Sequence, residues 1–254
     1  MRNLDHTSEI RKIEKFIYEQ TLDSGLEKLL VGLSGGIDSA VTAALCVKAV
    51  GKKNVIGVMM PYKNSHPDSL SDAKLLAEQL GINYEIIDIS PMVDTYFNDH
   101  AKEASRLRRG NRMARERMCI LYDLSAKYDA LVAGTGNKSE IMTGYCTQYG
   151  DNACAFEPLG HIYKTEVKKM AKVLKIPPKI IKKAPTADLW KDQTDETEMG
   201  LSYKILDNIL YGLLEVGESK EELIDQGFKN NVELVLDMIK RSAFKRHMPP
   251  MIEE

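Results

Sequence analysis

Residues 28–39 have the sequence Lys28-Leu-Leu-Val-Gly-Leu33-Ser-Gly-Gly-Ile-Asp-Ser39, in which an apolar run stops at glycines. The apolar run, residues 28–33, is typical of a buried strand in a parallel sheet. The small residues from 38 to 50 predict a helix that packs closely against such a sheet. The connecting loop then lies at the carboxyl end of a parallel strand, which is where α/β sheets bind their ligands.

Strands and helices alternate outward from this stretch. Three further strands are predicted at residues 55–60, 84–89 and 130–133. The spacing of apolar residues predicts helices at residues 9–22, 68–80, 91–106 and 111–127, the last two flanking an arginine-rich joint. This alternation indicates an α/β, Rossmann-like fold, which is a doubly wound parallel sheet with helices on both faces.

After Gly136 the strand pattern ends and helical patterns follow, at residues 164–175, 202–211, 220–226 and 231–242. Residues 184–200 are polar, acidic and long for a connection, which is typical of either a functional lid or a disordered loop. We expect a single domain over residues 1–254. Its α/β core is expected at about 8–176, and its lid loop and helical C-terminal elaboration at about 177–254.

The composition argues against nucleic-acid-binding and membrane-associated classes of protein. The chain has 35 basic and 37 acidic residues, so it lacks the basic excess of a general nucleic-acid or membrane-surface binder. No apolar run approaches the roughly 18–20 residues of a membrane span, and the polar start contains no signal core, so we expect a cytoplasmic protein. The four cysteines are Cys46, Cys119, Cys146 and Cys154. They lack paired CxxC spacing, which favours free buried thiols over metal ligands or disulfides.

The loop at residues 34–39 combines anion-binding and metal-binding residue types. Gly35 and Gly36 let backbone N–H groups approach an anion, the following helix N-terminus adds positive potential, and Ser34 and Ser39 supply hydroxyl donors. Asp38 is repelled by phosphate unless a divalent cation such as Mg²⁺ lies between them. The loop matches neither GxxxxGK[ST] nor GxGxxG. The alternative is a plain glycine turn that caps a helix.

A second loop, Gly134-Thr-Gly-Asn-Lys-Ser-Glu140, follows the fourth strand and therefore lies at the same sheet edge. Thr135 can donate a hydrogen bond to a nucleotide, and Glu140 can be a second metal-binding carboxylate. Two carboxylates from separate strand ends that converge on a polyphosphate are the arrangement that metal-assisted nucleotidyl transfer needs.

Other charged and aromatic residues have two interpretations each. Lys164, at a predicted helix start, is either a functional cation or a solvated charge. Trp190, in a polar loop, is either an aromatic clamp or a packing anchor. A basic cluster stands out in this chain of net charge −2, and it is either a binding surface for an anionic dinucleotide or a solvated helix face. The cluster consists of Arg106, Arg108, Arg109, Arg112, Arg115 and Arg117.

The Ser34-to-Ser39 loop resembles the pyrophosphate-binding loop of the N-type ATP pyrophosphatases, which attack ATP at its α-phosphate. The motifs that follow in order resemble the ammonia-dependent NAD synthetases from about residue 8 to 250. These motifs are Gly134 to Glu140, Thr143-Gly-Tyr-Cys-Thr-Gln-Tyr-Gly-Asp151, Pro158-Leu-Gly160, Lys164-Thr-Glu-Val167, Pro185-Thr-Ala-Asp-Leu189 and Thr194-Asp-Glu196.

The resemblance implies roles for individual residues. Its implied Mg²⁺ ligands are Asp38 and Glu140, and its implied deamido-NAD contacts are Arg115 and Lys245. Its implied ATP site comprises Gly32, Leu33, Ser34, Gly35, Gly36, Ile37, Asp38, Ser39, Thr135, Lys164 and Thr186. The chain departs from the family pattern near the dinucleotide site, where Gln148, Ala155 and Phe244 replace a common lysine, aspartate and histidine.

The resemblance implies an ATP-dependent ligase that amidates deamido-NAD with ammonia through an adenylated intermediate, giving NAD, AMP and pyrophosphate. It also implies a homodimer whose dinucleotide site lies near the subunit boundary. Free ammonia rather than glutamine is the expected nitrogen source, since the synthetase motifs occupy the chain and position 2 is Arg2, not a cysteine nucleophile. The alternatives are another adenylating amidotransferase or thiolase, and a non-catalytic nucleotide-binding module.

Overall fold

The computed structural model describes residues 2, 4–190 and 193–252. Its strands are β1 (Lys28–Gly32), β2 (Val55–Met59), β3 (Asn83–Ile86) and β4 (Ala130–Ala133). Its helices up to β4 are α1 (His6–Asp23), α2 (Ile37–Val50), α3 (Pro67–Leu80), α4 (Ser90–His100) and α5 (Arg106–Tyr128). The later helices are α6 (Lys138–Thr143), α7 (Lys164–Val173), α8 (Pro178–Lys182), α9 (Asp195–Met199), α10 (Tyr203–Tyr211), α11 (Lys220–Leu223) and α12 (Lys229–Arg241).

The four strands run parallel in the order β3-β2-β1-β4. In this register Val31 of β1 is paired with Gly57 of β2 on one side and with Ala133 of β4 on the other. The chain winds outward from β1 to β3 and then crosses to the opposite side of β1 to form β4. The winding direction therefore reverses between β1 and β4, which is where doubly wound sheets bind ligands. The predicted α/β, Rossmann-like fold is confirmed.

Helices cover both faces of the sheet because successive strand residues point to opposite faces. Leu29 and Val31 belong to a core shared with α1, α2, α3 and α7, whereas Leu30 belongs to a core shared with α4 and α5. A third core joins α9, α10, α11 and α12. None of the helices in the described residues is long and apolar enough to cross a membrane. The helical C-terminal part thus packs as an addition to a two-sided α/β core.

The predicted arginine-rich joint is wrong, because residues 106–110 form the first turns of α5. The side chain of Ser105 accepts from the backbone N–H of Arg108 and caps the helix, so the break falls at residues 101–105 instead. The helix continues through Gly110, where a Cβ atom would lie 2.9 Å from Cδ1 of Leu189, so the glycine allows close packing.

The segment predicted as a lid, residues 184–200, is partly helical, since α9 occupies residues 195–199. The hydroxyl of Thr194 accepts from the N–H of Thr197 and caps this helix. Helices α6 and α8 were not predicted, because each is shorter than the two turns over which apolar spacing becomes visible. The division of the chain at residue 176 stays a prediction.

Candidate active site

A cavity of about 990 Å³ opens at the carboxyl edge of the sheet. Its lining includes the two loops that follow β1 and β4, the predicted lid segment from Ala184 to Trp190, and the side chain of Lys245. Gly35 and Arg115 are absent from its lining, and every other residue of the predicted ATP, metal and dinucleotide sites lines it. The fold therefore brings chain segments more than 100 residues apart to one cavity.

The glycine loop is held by hydrogen bonds of its own serines. The N–H of Gly36 donates to Oγ of Ser34 at 3.2 Å, and Oγ of Ser39 donates to the carbonyl of Gly36 at 3.0 Å. Gly36 precedes α2 and offers no side-chain cap, so the N-terminus of this 14-residue helix is open toward the cavity. Such a helix start favours a bound anion.

Gly35 is the loop residue that only glycine fits. Its φ is +76°, and a Cβ atom there would lie 2.2 Å from the carbonyl oxygen of Ser69 at the start of α3. The loop therefore lies directly against the backbone of α3. This close approach holds Gly35 behind the cavity surface, where it shapes the loop without lining the cavity.

Three charged side chains meet beside the glycine loop. The ammonium of Lys164 lies 2.5 Å from Oδ2 of Asp38 and 2.9 Å from Oε1 of Glu140. Nδ2 of Asn137 donates to the other oxygen of Asp38 at 2.9 Å. The two predicted metal-binding carboxylates thus converge on one cation, and an amide fixes the orientation of the first.

Helix starts position each member of this triad. Asp38 lies in the first turn of α2, Glu140 in the first turn of α6, and Lys164 is the first residue of α7. A capping box orders α6, since Asn137 accepts from the N–H of Glu140 at 3.1 Å while the Glu140 carboxylate reaches the N–H of Asn137. Asn137 therefore fixes both carboxylates at once.

Burial and charge act in opposite directions on Lys164. Only 3% of its side chain is exposed, and burial works to lower its pKa. The charges of Asp38, Glu140 and Asp195 outweigh burial, so the pKa of Lys164 is raised. Burial raises the pKa of Glu140 to about 7, although the charge of Lys164 opposes this shift. The site therefore keeps a positive charge on Lys164 although this side chain is buried.

Asp195 and Tyr203 are parts of the site that the sequence did not reveal. The hydroxyl of Tyr203 donates to Oδ2 of Asp195 at 3.0 Å and lies 3.3 Å from Oε1 of Glu140. Asp195 is 3% exposed, and its other oxygen has no hydrogen-bond partner among the described residues. Asp195 belongs to Thr194-Asp-Glu196, one of the ordered family motifs, but its proximity to Glu140 depends on tertiary packing.

Glu157 is a further carboxylate that the sequence did not single out. Its Oε2 accepts from the N–H of Gly136 at 3.0 Å, and burial raises its pKa to about 7. A Cβ atom at Gly134 would lie 2.5 Å from this carboxyl group. The glycines on either side of Thr135 therefore leave space for Glu157, whose carboxylate holds the second loop through the N–H of Gly136.

The predicted dinucleotide residues have structural contacts of their own. Nε of Arg115 donates to the carbonyl of Gln148 at 3.2 Å, and Arg115 is exposed outside the cavity lining. Nζ of Lys245 donates to the carbonyls of Gly144 and Cys146, both at 2.7 Å. Phe244 is 59% exposed. The loop at residues 144–151 is thus held between α5 and the chain after α12.

Trp190 both packs and lines the cavity. Its ring lies 3.3 Å from the position that a Cβ atom of Gly110 would occupy, and its side chain contributes to the cavity wall. The neighbouring Asp188 accepts from the N–H of His66 at 3.0 Å and from the hydroxyl of Ser69 at 2.8 Å. These contacts tie the segment that carries Thr186 to α3 and α5.

Comparison with known proteins gives the family. The NAD synthase family model matches residues 9–249. The NH(3)-dependent NAD(+) synthetase of Fusobacterium nucleatum is 51% identical over 239 residues, which cover 94% of this chain and 92% of that protein. The solved NMN synthetase of Francisella tularensis has a TM-score of 0.87 at 31% identity, covering 99% of this chain and 100% of that one.

A second solved structure, the NH3-dependent NAD synthetase of Campylobacter jejuni, has a TM-score of 0.81 at 34% identity, covering 99% of this chain and 100% of that one. These matches span nearly the whole chain and confirm the resemblance inferred from the ordered motifs. The chain therefore belongs to the NAD synthase family, and it is a ligase.

Proposed function

We propose that this chain amidates deamido-NAD with ammonia in an ATP-dependent reaction. The nicotinate carboxylate oxygen attacks the α-phosphorus of ATP, the bond to the β-phosphate oxygen breaks, and pyrophosphate leaves. Ammonia then attacks the carbonyl carbon of this mixed anhydride, loses a proton and displaces AMP, which gives NAD. Activation is needed because a free carboxylate is a poor electrophile toward an amine.

The observation that carries this proposal is the convergence of Asp38, Glu140 and Lys164 beside the glycine loop. A non-catalytic nucleotide-binding module needs an anion-binding loop but no matched pair of carboxylates. Another adenylating enzyme could share the loop, but the family model covers the later motifs as well. The geometry therefore favours chemistry at a phosphate within the NAD synthase family.

Asp38 and Glu140 would hold the Mg²⁺ ion. Hard carboxylate oxygens suit this ion, which usually takes one or two carboxylates together with substrate phosphate oxygens and water. No group of three or more metal-ligating side chains occurs in the described residues, so the donor set fits an ion shared with substrate rather than a closed protein cage. When bound, Mg²⁺ neutralises phosphate charge and stabilises the departing pyrophosphate.

The remaining roles fall to the chain's own groups. The N–H groups of the glycine loop and the start of α2 bind the pyrophosphate portion, and Lys164 contributes a permanent positive charge. Thr135 and Thr186, which both line the cavity, are the proposed contacts for the remainder of ATP. Arg115 and Lys245 are the proposed dinucleotide residues. We assign no general base.

The acceptor substrate is tested by a direct competition between two nicotinate nucleotides. With ATP, Mg²⁺ and ammonium chloride, we expect deamido-NAD to be amidated at least about tenfold more efficiently than nicotinate mononucleotide, since its adenylate half supplies additional binding energy. Chromatographic separation of the products measures both reactions. The similarity to an NMN synthetase makes the mononucleotide the second candidate, and a preference for it would replace deamido-NAD in the proposal.

The nitrogen source is a separate prediction. A glutaminase needs a thiolate or similar nucleophile with supporting groups. Burial raises the pKa of Cys46 to about 12 and that of Cys146 to about 11, and also raises the pKa of Cys154, so burial disfavours the thiolate at three of the four cysteines. We expect NAD formation with ammonium chloride and, after contaminating ammonium is removed, less than about 1% of that rate with glutamine. Comparable turnover with glutamine would overturn the assignment.

Two further features belong to the proposal. We propose a homodimer, which the family resemblance implies. We also propose that residues 184–200 act as a lid that excludes water from the hydrolysable anhydride, supported by the seven consecutive cavity-lining residues Ala184–Trp190. We expect limited proteolysis of the free protein to cut near Lys191, which lies outside the described residues, and to be slowed by ATP plus deamido-NAD. The cytoplasmic location stays a prediction.

A further inference from the structure

Asp207, on α10, is a buried carboxylate that the proposed reaction does not use. It is 0% exposed, and within the described part of the chain it takes part in no ion pair. Oδ1 of Asp207 accepts from the hydroxyl of Ser139 at 2.5 Å, and Oδ2 accepts from the backbone N–H of Thr165 at 2.8 Å. Burying a carboxylate without a cation is costly, and burial raises the pKa of Asp207.

These contacts cap the start of α7 from outside that helix. The first N–H groups of a helix have no partner within it. In α7 the N–H of Lys164 donates to Oγ of Ser139 at 3.0 Å, and the N–H of Thr165 donates to Asp207. Helices α6 and α10 therefore supply the cap, and the backbone of Lys164 is fixed relative to both.

The hydroxyl of Ser139 connects the chain segments that carry Lys164 and Glu140. Ser139 immediately precedes Glu140, so the bond from Lys164 to Ser139 ties the backbones that carry the site's cation and one of its carboxylates. Asp207 fixes the orientation of that hydroxyl by accepting a hydrogen bond from it. One turn earlier on α10, Tyr203 contacts the Glu140 carboxylate itself. A single face of α10 thus supports both the backbone and the side chain of this region.

We propose that Asp207 is a positioning residue that sets the placement of Lys164 and Glu140 toward the phosphates of ATP. The inference rests on the proposed function of that site. A carboxylate is required because both of its oxygens meet donors, whereas an amide offers one accepting oxygen and turns an NH₂ group toward the second donor. A cap with only a structural role would leave the affinity of the folded protein for phosphate unchanged.

The test is the variant Asp207→Asn, with ATP binding measured by calorimetry in EDTA, so that only the chain's own groups are probed. We expect the Kd for Mg²⁺-free ATP to rise about tenfold, since a displacement near 1 Å at a charged contact has effects of this size or greater. The Mg²⁺ concentration that gives half-maximal pyrophosphate release should rise by a similar factor, while the KM for the dinucleotide stays within about twofold.

Glu166→Gln is the matched control. Glu166 is also buried at the start of α7 and accepts from a backbone N–H, that of Tyr163, but both of its oxygens accept from Arg2 and neither contacts α6. The Glu166→Gln change should lower the melting temperature without changing the Kd for ATP. If Asp207→Asn does not fold, Ser139→Ala removes the same link and should also raise that Kd.

The outcomes separate this inference from the proposed function. Unchanged ATP affinity in Asp207→Asn, or in Ser139→Ala where only that variant folds, would overturn the positioning role. An equal loss of affinity in Glu166→Gln would overturn it as well, since general destabilisation of α7 would then explain the effect. A wild-type chain that binds ATP but makes no NAD would contradict the proposed function and leave the binding comparison intact.

Discussion

Pyrophosphate release is expected to fall by about two to three orders of magnitude when Asp38 is replaced by Asn, and likewise when Glu140 is replaced by Gln. Each change removes one of two carboxylates that converge on the ammonium of Lys164. The amide keeps the size of the side chain but loses the negative charge that would balance a divalent cation. The loss should therefore appear in the chemical step more than in folding.

The measurement is a coupled pyrophosphate assay at saturating Mg²⁺, ATP, deamido-NAD and ammonium, with the melting temperature recorded for each variant. Glu233→Gln is the control, because Glu233 is 74% exposed and pairs only with Lys220 on the surface among the described residues. It should behave as wild type in both measurements. Nearly wild-type pyrophosphate release by Asp38→Asn or Glu140→Gln would contradict the assignment of these residues as metal ligands.

Local patterns in the sequence were enough to predict the sheet. A glycine or proline stands at or within two residues of an end of each strand, and Leu29, Leu30 and Val31 form the continuous apolar run that a strand buried on both faces requires. The sequence misplaced the break between the two helices before β4, which the arginine-rich stretch put at residues 107–110. Gly110 weakens a helix in isolation, yet α5 continues through it because Leu189 packs where a side chain would lie. That contact comes from a segment 79 residues away and leaves no local signal.

The residues of the charged site likewise fall into those that the sequence could predict and those that it could not. Asp38 and Glu140 each follow a predicted strand, so the sequence could assign them to one sheet edge, whereas Lys164 was assigned to the same site only through the family resemblance. Asp195 and Tyr203 contact the same group only because the C-terminal helices fold back over it. Their contribution depends on the packing of the third core, which no spacing within their own segment describes.

The glycine loop provides the second large effect, through the variant Gly35→Ala. A methyl group there would meet the backbone of Ser69 at 2.2 Å, and the residue's φ of +76° disfavours any side chain. Since backbone must move to relieve this contact, we expect the free energy of unfolding to fall by about 2–4 kcal/mol. Ser69 also contacts Asp188 and Lys183, so the displacement should reach the segment that carries Thr186.

We expect the KM for ATP of Gly35→Ala to rise about 100-fold, because the loop proposed to bind the phosphates and the segment that carries Thr186 shift together. Gly25→Ala is the matched control: Gly25 has a similar φ of +71°, but a Cβ atom there would meet nothing within 4 Å. This control carries the backbone strain alone, worth about 1–2 kcal/mol, and lies away from the cavity. Chemical denaturation and ATP-dependent kinetics on both variants separate the two contributions. If Gly35→Ala matches Gly25→Ala in stability and binds ATP as wild type does, the close approach of the loop to α3 does not determine the geometry of the phosphate site.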